Sequence, residues 1–123
     1  MPFIAQQVVP LLRIFDEQKA REFYVVYMGF EIDFEHRFGA NAPLFMQVSR
    51  SGVTLRLSEH HGDGTPGSIV TVIGVGVEAL HQELHAKQYK YMNPGLERTE
   101  WGTLNVCVID PFNNHLISSE RIP

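Results

Sequence analysis

The sequence predicts an α+β fold built from two βαβββ modules, each a curved mixed sheet with one helix on one face. Two observations favour this class over a doubly wound sheet. Strand-like runs outnumber helical ones, and the same order of elements occurs twice at an offset of about 60 residues. Two such halves account for nearly all of the 123 residues. The face of each sheet opposite its helix is then free to line a cavity.

The first module begins with a strand over residues 8–15, an apolar run rich in β-branched side chains. Asp16 follows at the position of a helix N-cap, where a carboxylate accepts from free backbone N–H groups. A helical spacing of apolar residues then predicts one buried face, formed by Ala20, Phe23, Tyr24 and Tyr27. Gly29 is placed to end this helix, because glycine tolerates the left-handed conformation there.

Three short strands complete the first module. Their predicted ranges are 30–34, 43–49 and 53–58. Ser51 and Gly52 favour a tight turn between the last two strands. Polar side chains interrupt these apolar runs and the first strand at Arg13, Gln47 and Arg56. Strand alternation allows two interpretations of them, as part of a half-polar cavity wall or as solvent-facing positions.

The second half follows the same order. A buried-type strand is predicted over 69–75, and a helix follows it. The inner face of that helix is formed by Val77, Leu80, His81 and Leu84. Three further strands are predicted at 89–92, 104–109 and 116–119. Residues 110–114 favour a turn between the last two, because they hold Asp, Pro and two Asn.

We therefore expect residues 1–123 to form a single domain of two modules. The first module covers about residues 8–59 and the second covers 68–120. The segment 60–67 is predicted to be a linker, because it is rich in turn-forming residues.

Composition excludes several functional classes. A hydrophobic fraction of 44% and a charged fraction of 20% are typical of a globular chain, not of a disordered tail. No apolar run reaches the ~20 residues that span a bilayer, so no membrane partner is expected. A net charge of −4 without a basic cluster argues against a nucleic-acid partner. The lone Cys107 and the lack of a signal-peptide pattern predict a cytoplasmic protein.

Each half of the chain carries short motifs that resemble those of a known family. They are Asp16, Phe23-Tyr24 and Met28-Gly29-Phe30 in the first half, and Glu100-Trp101-Gly102 and residues 108–116 (VIDPFNNHL) in the second. Together they resemble the vicinal oxygen chelate superfamily of glyoxalases, bleomycin resistance proteins and dioxygenases. The ending of the chain is similar to that of the bleomycin resistance branch. The resemblance covers nearly all of residues 8–120, and it implies the fold more firmly than any activity.

The resemblance also implies positions for a divalent metal, which the family's enzymes hold with His, Gln or Glu side chains. In this chain those positions fall on Val9, Arg56 and Ile117, and segment 67–77 has no ligating side chain where a histidine is implied. Aliphatic groups and a guanidinium do not bind cations. The sequence therefore predicts no metal and no cofactor. Because Lewis-acid chemistry needs such an ion, the resemblance favours a non-catalytic protein over an enzyme.

The candidate ligand-binding residues are aromatic, imidazole and charged side chains, namely His36, Phe38, Phe45, Arg56, Glu59, His60 and Trp101. Trp101 has two interpretations, a core side chain or the stacking wall that the resemblance favours. Strand alternation places Phe34, His36 and Phe38 on one side of an extended chain. The alternative for the two phenylalanines is burial in the core, which is the expectation for Phe34. Glu35, Glu59 and Asp63 lie beside the aromatic group, where they would either attract a cationic ligand or remain solvated.

The function that these observations favour is non-catalytic sequestration of a planar, cationic drug or metabolite, such as a bleomycin-type antibiotic. The resemblance further implies a homodimer whose modules pair across the two chains, so that each cleft is built from both. The alternative is a metal-dependent lyase, isomerase or dioxygenase with a relocated site, drawn from His36, Glu59, His60 and His61. A pair at helical spacing, His81 and His85, lacks an evident third ligand.

Overall fold

Two four-stranded mixed sheets form the protein, which confirms the predicted α+β class. A computed structural model describes all residues from Met1 to Pro123. The strands of the first sheet are β1 (Leu11–Arg13), β2 (Glu31–His36), β3 (Phe45–Arg50) and β4 (Val53–Ser58). Their spatial order is β1-β4-β3-β2, with β1 parallel to β4 and the other pairs antiparallel.

The second sheet repeats this arrangement. Its strands are β5 (Ile69–Ile73), β6 (Leu96–Arg98), β7 (Thr103–Ile109) and β8 (His115–Arg121). Their order is β5-β8-β7-β6, again with one parallel pair, β5 and β8, at one edge. The internal repeat seen in the sequence is thus a repeat of sheet topology.

One helix packs on each sheet. The first comprises α1 (Glu17–Arg21) and a π-helical segment, Glu22–Tyr27, and the second is α2 (Val77–Ala86). The Asp16 side chain accepts from Lys19 N at 2.9 Å, which confirms the predicted cap. The four predicted inner residues of the first helix are all buried. Neither helix has the length and apolar character needed to cross a bilayer.

The core lies between each sheet and its helix. Its first-sheet side is formed by Leu12, Met46, Val48, Leu55 and Leu57, and its second-sheet side by Leu104, Val106, Val108 and Leu116. The opposite face of each sheet carries the polar and half-exposed residues of the same strands. Each sheet therefore has one face in the core and one open face.

A buried polar network joins the two halves of the chain. Tyr24 Oη donates to Asp110 Oδ2 at 2.6 Å, and the other oxygen of Asp110 accepts from Asn114 N at 2.7 Å. The Asn114 amide donates both to Asp110 and to Arg13 O, each at 2.9 Å. Because each of these buried groups has a hydrogen-bond partner, the network fixes the first helix against the β7–β8 turn without leaving a buried polar group unsatisfied.

Two sequence expectations for the second half are wrong. Residues 89–92 form turns, not a strand, although Tyr89 and Met92 pack against the core. A four-residue segment with alternating aromatic and polar side chains is too short to distinguish a strand from a packed turn. The edge strand of the second sheet is instead Leu96–Arg98. The strand β5 is not buried, because Ile69 and Ile73 point to solvent from its open face. Cys107, on β7, is also exposed on the open face of this sheet.

We predict that Tyr24→Phe lowers the free energy of unfolding by about 1–3 kcal/mol, because Asp110 loses a buried hydrogen-bond donor. Burial, with the nearby Asp110 charge, raises the pKa of Tyr24 well above its ordinary value. The unfolded chain therefore releases this proton first, and stability falls as pH rises above about 10. Urea unfolding at pH 8 and pH 11 measures both effects.

Between pH 8 and pH 11 the Tyr24→Phe variant should lose less stability than the wild-type protein, because it lacks one tyrosine whose pKa is raised by folding. Tyr91→Phe serves as the control, because Tyr91 is exposed. An unchanged free energy of unfolding in Tyr24→Phe would contradict a stabilising role for the network.

Candidate functional site

A β-bulge in β2 determines which side chains reach the open face of the first sheet. Ile32 pairs with Val48, but the next pair is Phe34 with Gln47, so Asp33 is an extra residue on its strand. Asp33 accepts from Ser49 Oγ at 2.7 Å and from Gln47 Nε2 at 3.0 Å. These bonds hold the bulge in place, and they lower the pKa of the Asp33 carboxyl, so it stays ionised at neutral pH.

The bulge reverses the alternation of the strand beyond it. In regular pairing Phe34 would share the core-facing side of Ile32. Its partner is instead Gln47, on the open face, and 42% of Phe34 is exposed. The expectation that Phe34 is a core residue is therefore wrong. Its ring stacks on that of Phe45, with centroids 6.0 Å apart.

An open groove of about 690 Å³ lies at this end of the sheet and is called the aromatic groove below. It is lined by Phe34, His36, Phe38, Ala42, Pro43, Phe45, His60 and Asp63. Four of the seven candidate residues, His36, Phe38, Phe45 and His60, thus lie together. The groove presents three phenyl rings, two imidazoles and one carboxylate, a set suited to a flat molecule with a positive charge.

Phe38 is the most exposed ring of the aromatic groove, with 89% of the residue accessible to solvent. It lies in the segment between β2 and β3 and meets the His36 ring edge to face at a centroid distance of 4.4 Å. Contact between a large apolar side chain and water is unfavourable, and a ligand or partner that covered the ring would remove this contact.

The opposite wall of the groove is held by Ser58, at the end of β4. Its hydroxyl donates to Asp63 Oδ2 at 2.8 Å and accepts from His60 N at 3.1 Å. His60 Nδ1 accepts from Gly62 N at 3.0 Å, so the neutral ring carries its proton on Nε2. This wall is therefore braced by local hydrogen bonds.

Of the three carboxylates expected beside the aromatic group, only Asp63 lines the groove. Glu35 forms an ion pair with Arg21, on the helix side of the sheet. Glu59 accepts from Leu44 N at 3.0 Å, and its carboxylate is engaged there. The structure thus places the candidate residue Glu59 behind the groove, not in it.

Arg56 lies on the open face beside the groove without lining it. Its Nε donates to Gln47 Oε1 at 3.1 Å, and its guanidinium carbon lies 5.9 Å from the Phe45 ring centroid. Gln47 in turn donates to Asp33. A polar row of Arg56, Gln47 and Asp33 therefore crosses the sheet next to the aromatic groove.

Trp101 belongs to the other module and does not contact the aromatic groove. It lies in the turn before β7, and 76% of it is exposed. The interpretation of Trp101 as a core residue is therefore wrong.

The residues at the implied metal positions do not fit a divalent ion. Val9 and Ile117 have no donor atoms, and Arg56 is a cation that already donates to Gln47. No group of three or more His, Cys, Asp or Glu side chains is arranged to hold a metal. His36, Glu59, His60 and His61, which were considered for a relocated site, do not form such a group.

A second crevice, of about 750 Å³, lies between the two modules on the side of the β3–β4 turn. Its walls are mainly aliphatic and include Phe30, Val53, Ile73, Val75 and Leu80. An ion pair at its rim joins Arg50 to Glu83 through two bonds of 2.8 Å each. It offers no cluster of catalytic groups, and it continues the exposed apolar surface of β5.

Sequence reasoning missed Phe34, Ala42, Pro43 and Asp63 as lining residues. Phe34 was hidden by the bulge, which no composition signal marks. Ala42 and Pro43 lie in the segment that joins β2 to β3. Their closeness in sequence to the candidate residue Phe38 was the signal that could have predicted them as lining residues. Asp63 was recognised only as a neighbouring acid.

We predict that Phe38→Ala changes the free energy of unfolding by less than about 0.5 kcal/mol, because the ring is exposed and lies outside the core. Met46→Ala, fully buried in the neighbouring strand, should cost about 2–5 kcal/mol. Chemical denaturation of both variants measures the contrast. A loss of more than about 1 kcal/mol in Phe38→Ala would show that the groove aromatics belong to the core.

Comparison with known families identifies the fold. Over residues 2–123 the chain matches the sequence model of the family described as "Glyoxalase superfamily protein". A comparison with curated protein sequences gives no match.

Solved structures share this architecture. A bleomycin-binding protein from bleomycin-producing Streptomyces verticillus, solved with copper(II)-bleomycin, is 23% identical, with a TM-score of 0.70 over 95% of this chain and 97% of that one. A glyoxalase/bleomycin resistance protein/dioxygenase superfamily member from Sphaerobacter thermophilus is 22% identical, with a TM-score of 0.69 and coverages of 96% and 98%. A bleomycin resistance determinant encoded on a transposon is 17% identical, with a TM-score of 0.71 and coverages of 95% and 98%.

At these identities the solved structures establish a common fold and not a common ligand. They confirm the resemblance that the motifs of the two halves indicated. Together with the family match over nearly the whole chain, they show that this protein belongs to the glyoxalase superfamily.

Proposed function

We propose that this protein is a non-catalytic binder that holds a planar, cationic small molecule in the aromatic groove. One observation carries the proposal: three phenyl rings and an acidic side chain converge on one open groove. The proposed mechanism is stoichiometric, because binding alone keeps the molecule from its target.

The physical basis is the cost of leaving these rings in water. A flat ligand inserted against Phe34, Phe38 and Phe45 recovers the buried apolar area and gains about 0.5–1.5 kcal/mol for each well-oriented aromatic pair. A positive charge on that ligand gains further from the ring faces and from Asp63. The groove has room for a molecule of drug size.

The comparisons support the choice of ligand class. Two of the solved structures with this fold are described as bleomycin-binding proteins, each determined in complex with bleomycin or its copper(II) form. Bleomycin is therefore the first probe to test, and this chain's own Phe38 and Asp63 are the residues expected to meet it.

We further propose that the protein works as a homodimer whose clefts draw on both chains. The support is the surface of β5, where Ile73 is 81% and the following Val75 is 91% exposed. The segment 67–77 contains no charged residue, although unpaired edge strands are ordinarily protected by charge. A second copy that covers this surface would remove these apolar side chains from water.

We predict that metal-free bleomycin binds the protein with one site per chain and a micromolar or lower Kd in isothermal titration calorimetry. Phe38→Ala should weaken binding about tenfold, the equivalent of one lost aromatic contact. Tyr91→Ala is the matched control, since it removes an exposed aromatic ring that lies outside the groove. Equal losses in both variants, or no heat of binding at micromolar drug, would contradict the proposal.

We predict that sedimentation gives twice the chain mass of 14.0 kDa. Ile73→Asp should shift this species to the monomer, because a buried carboxylate without a partner is unfavourable at an apolar interface. Val26→Asp provides the control, as Val26 is exposed on the first helix. A monomeric wild-type protein would overturn the dimer, and an intact Ile73→Asp dimer would exclude β5 from the interface.

A further inference from the structure

The segment from Arg37 to Leu44 forms one wall of the aromatic groove and has little support of its own. It contains no strand or helix, and its internal backbone bond runs from Ala42 N to Gly39 O at 3.0 Å. Phe38, Ala42 and Pro43 face the groove from this segment. Something outside the groove must therefore keep the wall in place.

The side chain of Arg37 supplies that support from behind. The side chains of β2 alternate after the bulge, so Phe34, His36 and Phe38 lie on the groove side. The side chain of Arg37 points to the opposite side, toward the first helix. Arg37 Nη1 donates to Ala42 O at 3.0 Å, which ties the beginning of the wall to its end. Its Nη2 pairs with the carboxylate of Glu17 in α1.

Two carboxylates complete the anchor. Glu59 lies 3.9 Å from Arg37 Nη1 and also accepts from Leu44 N, the last residue of the wall segment. Glu17 is itself held by Arg21 at 2.7 Å, and Arg21 bonds Glu35 on β2. Hydrogen bonds from Arg21 and Arg37 lower the pKa of Glu17, so this anchor is ionised at neutral pH.

We propose that Arg37 is a positioning residue for ligand binding: it holds the Phe38–Pro43 wall against the aromatic groove without touching the ligand. The guanidinium suits this role because it donates in several directions at once, to the Ala42 carbonyl and to a carboxylate. The role in binding rests on the proposed function of the groove, whereas the role in holding the wall does not.

The anchor has a characteristic weakness. The side chains of Arg37 and Glu17 are 34% and 37% exposed, so dissolved salt reaches their ion pair. The opposite wall, at His60 and Asp63, is held by the neutral hydroxyl of Ser58. We therefore expect added salt to weaken the support of the Phe38–Pro43 wall and to leave the wall at His60 and Asp63 unchanged.

The test reads the wall directly, with no ligand. A single-tryptophan protein, Phe38→Trp in a Trp101→Phe background, places a fluorescent side chain on the wall. Time-resolved anisotropy should show more nanosecond motion in Arg37→Gln than in its parent, with Arg37→Lys between them. Salt at about 0.5 M should increase the motion of the parent and leave Arg37→Gln unchanged. Arg98→Gln, an exposed arginine of β6, is the matched control.

Binding supplies the second readout, in the protein with native Phe38 and Trp101. Arg37→Gln should raise the dissociation rate of metal-free bleomycin about tenfold and change its association rate less than threefold, while the free energy of unfolding stays nearly constant. The proposal is overturned if the reporter moves equally in Arg37→Gln and its parent, or if the dissociation rate does not change. Failure of the wild-type protein to bind bleomycin would overturn the proposed function, and the reporter would still decide whether Arg37 holds the wall.

Discussion

The bulge at Asp33 is the constraint on which the site depends. One extra residue in β2, Asp33, is held by hydrogen bonds from Gln47 and Ser49. Because of it, each later side chain of the strand points to the opposite face of the sheet from the one that regular alternation would give. Phe34 and His36 then face the groove, while the alternate residues face the first helix and pair with its charges. A regular strand of the same composition would bury a phenyl ring in the core and leave the groove without its floor.

The core and the proposed binding site occupy different faces of the first sheet. The core-facing sides and the Tyr24–Asp110 contact hold the two halves together, and every member of that network has a partner. The open face of the first sheet contributes little to the core, so its aromatic side chains are free to serve a ligand. This separation lets members of one fold differ in what they bind without losing the fold.

The parts of the fold that sequence predicts are those governed by local chemistry. Asp16 as a cap and the buried spacing of Ala20 and Tyr24 follow from rules that act within one helix. The site was harder, because a bulge depends on cross-strand bonds and leaves no periodic signal, which is why Phe34 was misplaced. The prediction of a strand at residues 89–92 was wrong for a related reason, because Tyr89 packs against the core without any strand pairing.

The central claim is that the aromatic groove, and not the crevice between the modules, holds the ligand. Amide chemical shifts of ¹⁵N-labelled protein during a titration with metal-free bleomycin test it most directly. The account predicts that the largest shifts fall at His36, Phe38, Phe45 and His60, around the groove. Shifts confined to residues 72–80, along the crevice, with the groove amides unchanged, would contradict it.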